Sequence, residues 1–141
     1  MRKLHRPLLL LAVLGLALAV TASASARCGA GTVKGIAYVT GGSSGVGSLS
    51  GTFSASAALF GYRWNCSGGA VEVRKPDSTP PGFDVRFAGN PGKVAIASAT
   101  GGPAAASVSR NADGSFRVYL AGSLGGGFTS RNDLAFVIIV F

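Results

Sequence analysis

Residues 71–87 read VEVRKPDSTPPGFDVRF. Apolar side chains fall at every second position in Val71-Glu72-Val73-Arg74, and again in Phe83-Asp84-Val85-Arg86-Phe87. A strand sends successive side chains to opposite faces, so each run offers one apolar face and one charged face; a helix would scatter the same residues around its circumference. Between the runs, Pro76, Pro80 and Pro81 fix φ and lack a backbone donor, so no strand ladder passes through Lys75–Gly82. The stretch is a β-hairpin. Two strands alone are marginal in water, so the Val/Phe face must pack on a second layer. On the other face, Glu72 and Asp84 are expected to pair with Arg74 and Arg86 in an order set by the register, as a solvated sheet surface.

The same pattern continues downstream. Gly89-Asn90-Pro91-Gly92 is a turn, Lys93–Ala97 a short strand, and Thr100–Ala106 a small-residue loop. Ser107–Arg110 leads to Asp113-Gly114, a hairpin turn, after which Ser115–Leu120 alternates with Phe116, Val118 and Leu120 inward. Gly122–Gly127 reads as a flexible loop. The final run, Leu134–Phe141, is apolar at both parities, the mark of a strand covered on both faces. Such a strand needs a cover on each side, within the domain or from another subunit.

Upstream, Val33–Thr40 is a first strand weakened by Gly35. Gly41–Gly51 reads as a Gly/Ser-rich loop without the Gly-Lys-Ser/Thr ending or glycine spacing of a phosphate-binding loop. Thr52–Ala57 alternates again. In Leu59–Cys66, Phe60, Tyr62, Trp64 and Cys66 share one parity, so an unbroken strand lines them on one face. That stripe reads first as core packed on a cystine, because Trp and Tyr bury their bodies and keep a polar tip wet. The alternative is an aromatic surface, Tyr62 and Trp64, on which sugars or bases stack. Asn65-Cys66-Ser67 is formally a glycosylation sequon.

The chain begins with a basic Arg2, Lys3 and Arg6, an uncharged apolar core from Pro7 to Val20, and two small-x-small sites ending at Ala24 and Ala26. These are the three parts of a secretory signal peptide in order. The domain organisation expected is a cleaved signal peptide over residues 1–26, helical, and a single β domain over residues 27–141. Cleavage after Ala26 is preferred to cleavage after Ala24. Arg27 before Cys28 argues against a lipid-modified cysteine. Loss of the leader takes His5, the only histidine, and leaves ten Lys/Arg against five acids, a net charge of about +5.

Cys28 and Cys66 are then the two cysteines of an exported chain, and an even count with no spare thiol predicts one disulfide. Without histidine, no zinc ligand set is expected, and no cofactor is called for. The bond pins the segment after the leader onto the middle of the chain. Six to nine short strands punctuated by Gly/Pro turns point to an all-β fold, a small antiparallel sandwich or barrel-like domain with one disulfide. The immunoglobulin pattern does not fit: that fold wants Cys, then Trp, then Cys across the sandwich, whereas Trp64 here sits only two residues before Cys66.

A basic domain suits an anionic envelope polymer or a protein partner, but its cations are spread singly, with only Arg74 and Lys75 adjacent. No nucleic-acid footprint is present, and no membrane contact is expected once the leader is gone. Self-association stays open through the Val137–Phe141 face. Catalysis by a Ser-His-Asp or Cys-His device needs an imidazole the processed chain lacks. A carboxylate hydrolase would have to use Glu72 and Asp84 across the hairpin, each beside a basic neighbour that favours salt pairing. Asp77 and Asp113 fall in turns, and Asp133 precedes the last strand.

From Val71 onward the order of Val71, Val73, Arg74, Gly82, Phe83, Val85, Phe87, Phe116, Val118, Asp133 and the run Phe136–Phe141 resembles a module of exported bacterial proteins and of phage tail-fibre-type β-domains. The resemblance covers about half of the processed chain. The longer proline turn at Pro76–Pro81 and the cysteine-bearing N-terminal half depart from it. It implies a β-module that binds or assembles, trimeric in fibre contexts, with no catalytic residue to carry over. The function expected is therefore a secreted, non-catalytic β-domain for binding or assembly at the cell envelope or outside the cell. The alternative is a small secreted inhibitor of an extracellular hydrolase, presenting loop 75–82 with Arg74 or Lys75 as its specificity residue. The carboxylate hydrolase ranks last.

Overall fold

A computed structural model describes residues 28–124 and 127–141. The signal peptide expected over residues 1–26 lies outside the described residues. Nine strands follow in chain order: β1 (Gly35–Val39), β2 (Phe60–Asn65), β3 (Val71–Arg74), β4 (Phe83–Phe87), β5 (Ala95–Thr100), β6 (Ala104–Arg110), β7 (Phe116–Leu124), β8 (Gly127–Arg131) and β9 (Ala135–Val140). They form two antiparallel sheets. Sheet A has the order β2-β1-β9-β5, and sheet B has the order β3-β4-β7-β6 with β8 paired to the far end of β7. The fold is all-β, as the alternation in the sequence predicts.

The two sheets share one core. Ala37, Val39, Phe136, Ile138 and Val140 point inward from sheet A to meet Val73, Phe83, Val85, Phe116 and Val118 from sheet B. The rings of Phe83 and Phe136 stack across the gap with centroids 5.5 Å apart. Gly35 allows a close approach between the sheets, since a Cβ there would come within 2.6 Å of the Phe87 ring. Burying a Val or Phe side chain of this kind contributes about 1.5–3 kcal/mol, which is why period-two alternation alone suffices to fix the layers.

The hairpin β3–β4 is the one read from residues 71–87, with Val73 opposite Val85 and Val71 opposite Phe87. Asp113-Gly114 makes the β6–β7 turn, where Gly114 has φ +82° and its N–H bonds Asn111 O at 3.1 Å. Cys28 and Cys66 form the expected disulfide. It ties the segment before β1 to the corner leading from β2 to β3. At this corner Asn65 Nδ2 donates to Gly69 O and Ala88 O, and Asn90 Nδ2 donates to Lys34 O and Asn65 Oδ1. The sequon asparagine is therefore buried and its amide is already engaged.

Three stretches differ from the sequence expectation. Thr100–Ala106 is mostly strand, because β5 runs to Thr100 and β6 starts at Ala104. Gly122–Gly127 is likewise strand at its ends, with Gly122 opposite Thr129 and Leu124 opposite Gly127. Alternation is invisible where Ala, Ser and Gly offer no contrast between the two faces. Third, residues 40–59 leave sheet A, reach the edge of sheet B and return. A 3-10 turn at Val46–Ser48 puts Val46 fully into the core, and the Thr52–Ala57 stretch makes a single bridge, Ser54 to Val73, before a second 3-10 turn at Ala57–Leu59.

Candidate functional site

The site follows from a break in strand register on β2. Ile36 lies opposite Trp64 and Tyr38 opposite Tyr62, but the next pair is Val39 with Phe60. Gly61 is thus the extra residue of a β-bulge, which changes the parity of everything beyond it. Phe60 turns into the core, whereas Tyr62 and Trp64 turn outward, 56% and 40% exposed. The expectation that Phe60, Tyr62 and Trp64 form one core stripe is corrected accordingly: only Phe60 is core. Glycine is required at the bulge because the Tyr38 ring lies over it; a Cβ on Gly61 would come within 2.5 Å of that ring.

The ladders carry this outward face across the whole of sheet A. One row reads Trp64, Ile36, Ile139 and Ile96, and the next Tyr62, Tyr38, Val137 and Ser98. Backbone bonds from Lys93 N to Phe141 O (3.0 Å) and from Phe141 N to Val94 O (2.9 Å) extend the pairing one step further. Ile96, Val94 and Phe141 are 54%, 63% and 39% exposed. Neither row contains a charged residue. Arg63, the one charge within the four strands, folds back over the β2 edge: its Nη1 donates to Ala55 O at 2.6 Å and its guanidinium lies 5.0 Å from the Phe60 ring centroid. The last strand, apolar at both parities, is covered by the core on one side only. Monomeric proteins rarely leave a contiguous apolar patch of several strands uncovered, and where they do it marks an interaction surface.

The outer face of sheet B is the reverse. Its central row is Arg74, Asp84, Arg117 and Ser109. Asp84 is completely buried, accepting bonds from Arg117 Nε (2.6 Å) and Nη2 (2.9 Å), Arg74 Nε (2.9 Å) and Asn111 Nδ2 (3.0 Å). Burial pushes its carboxyl pKa up, but the bonds from Arg117, Asn111 and Arg74 outweigh this and hold it below the ordinary carboxylate value. The bond to Asp84 in turn raises the Arg117 pKa. Beside this row Arg86 donates to Glu72 at 2.8 Å. The Phe53 ring is flanked by both hairpin arginines, with the guanidinium carbons of Arg86 and Arg74 4.0 Å and 4.3 Å from its centroid. Among the described residues, no buried side-chain nitrogen or oxygen lacks a hydrogen-bond partner.

These distances place the remaining candidates. Glu72 and Asp84 are each held by arginine, Arg86 for the first and Arg74 with Arg117 for the second, so they face cations and not each other. Arg74 is not presented by loop 75–82: it is bonded to Asp84, lies 3.7 Å from Asp113 and covers Phe53. Lys75 is half-buried, its backbone N–H bonded to Ser50 O at 2.8 Å. Among the described residues, two open clefts stand out. One, of about 370 Å³, is lined by hydroxyls of Ser44, Ser48, Ser50, Thr52 and Ser54 beside Phe53; the other, of about 340 Å³, lies at the β2 edge between Trp64 and Val71.

No family model, no curated protein and no solved structure matches the chain. Its disulfide is compatible with an extracellular protein, and among the described residues no helix is long and apolar enough to cross a membrane.

Proposed function

We propose that the protein is an exported, non-catalytic β-sandwich that works by binding or assembly at the cell envelope or outside the cell, through the outer face of sheet A. The observation that carries this reading is the uncharged surface of Trp64, Ile36, Ile139, Ile96, Tyr62 and Tyr38, in which large apolar side chains stand open to water. Supporting it are the leader-like N-terminus, the disulfide, and the engagement of Glu72 and Asp84, the two carboxylates of the hairpin, by their own arginines. An acid or base for catalysis needs a free lone pair facing a substrate. Asp84 spends its oxygens on Arg74, Arg117 and Asn111, and Glu72 is held by Arg86.

Cell fractionation combined with intact mass tests this reading. Processing after Ala26 or Ala24, an oxidised Cys28–Cys66 pair, and recovery outside the cytoplasm are the expected results. A cytoplasmic protein with its N-terminus intact would overturn it.

A further inference from the structure

We infer that the outer face of sheet A seats a second copy of this chain, the two sheets packing face to face about a two-fold axis. This rests on the reading of that face as the binding surface and names its occupant.

The first argument is the last strand. A strand apolar at both parities is one buried on both faces. Phe136, Ile138 and Val140 meet the core, whereas Val137 and Ile139 face outward with no layer above them among the described residues. A second sheet A, about 10 Å away, supplies that missing layer.

The second argument is area. With about 200 Å² for a fully exposed side chain of this size, the open fractions of Tyr62, Trp64, Val94, Ile96 and Phe141 come to about 500 Å². Ile36, Tyr38, Val137 and Ile139 lie between them and are half-buried. Two copies would remove about 1,200 Å² or more from water, which reaches the range of specific, stable interfaces.

The third argument is chemistry. A two-fold interface must be self-complementary, and an uncharged face meets itself without repulsion, even in a basic protein. An anionic membrane or polymer requires cations spread over the contact. Here Lys34 and Lys93 both stand at one end, beside Phe141 and Val94. A glycan requires polar side chains to orient its hydroxyls, and the two rows offer only two phenols, the Trp64 indole N–H and Ser98.

Trp64 is the only tryptophan, so its fluorescence reports the face directly. Light scattering of the oxidised protein across the micromolar range should give twice the monomer mass, with Trp64 emission shifting to the red on dilution as the ring becomes wet. Ile96→Lys and Tyr62→Lys, each a change at an exposed position, bring two unpaired charges into the contact and should weaken the dimer at least about 100-fold. Ser107→Lys, on the outer face of sheet B, should leave it unchanged. A dimer indifferent to both face variants would overturn the proposal. So would a protein that stays monomeric. A monomer whose Trp64 emission shifts on addition of anionic vesicles or soluble glycan would fail the second-copy proposal yet keep the binding reading; a monomer found in the cytoplasm with its N-terminus intact would remove both.

Discussion

On the outer face of sheet A, Trp64, Ile36, Ile139 and Ile96 stand in a row with no charge among them. The corresponding row on sheet B is Arg74, Asp84, Arg117 and Ser109. Charges can be answered by charges within one molecule, and on sheet B they are: every oxygen of Asp84 has its donor. Apolar surface can be answered only by something that removes water, and for sheet A nothing among the described residues does so. The closed face is a stabilising device, and the open face is the one left with an unspent driving force.

The largest expected effect is on the corner that steadies the open face. Cys28 and Cys66 close a separation of 38 residues. Replacing both by Ser should cost about 4 kcal/mol by the chain-entropy account, read as a lower denaturant midpoint. Next comes the closed face. Asp84→Ala leaves Arg74 and Arg117 without their counter-ion and should cost about 3 kcal/mol, softened because both arginines reach solvent. The same carboxylate sets an acid limb. Its folded pKa is depressed, so its contribution is complete above the unfolded carboxylate value of about 3.9 and is lost as pH falls through the lower folded value. Denaturant midpoints against pH should therefore fall on the acid side in the parent and fall less in Asp84→Asn.

Phe53→Ala removes the ring between two guanidinium groups and should cost about 1 kcal/mol. Smallest of all, Ile96→Lys should move the stability of the single copy by no more than about 0.5 kcal/mol, because the side chain packs on nothing above it. A large loss there would mean that the open face is already covered within one chain, and the contrast between the two faces would collapse.

Much of this was legible in residues 71–87 alone. Their alternation carried the hairpin, its inward valines and phenylalanines, and the pairing of two acids with two arginines on the other face, because contrast between adjacent side chains is large there; which acid meets which arginine, Glu72 with Arg86 and Asp84 with Arg74, is set by the register. The cysteine pair was legible from count. Less visible were β6 and β8, where Ala, Ser, Gly and Thr give both faces much the same hydropathy. The outer face of sheet A was misread at one point only. Phe60, Tyr62 and Trp64 share parity in the sequence, and the one local sign that the strand gains a residue is Gly61 itself, since an isolated glycine in a strand marks a bulge or a close approach. Arg117 as the second partner of Asp84 was likewise out of reach, being 33 positions away and joined only through the β4–β7 ladder.

The bulge at Gly61 has a consequence for the kind of aggregate an apolar surface can seed. A straight, unpaired strand edge is a template onto which further molecules add, growing fibrils. On one flank of this sandwich both edges are blunted: β2 is bent by its extra residue, and the outer hydrogen-bonding positions of Val73 on β3 are taken by Ser54, N to O at 2.9 Å in both directions. Growth by strand addition is obstructed there, so a second copy seated on sheet A would make a contact that is satisfied once and then stops.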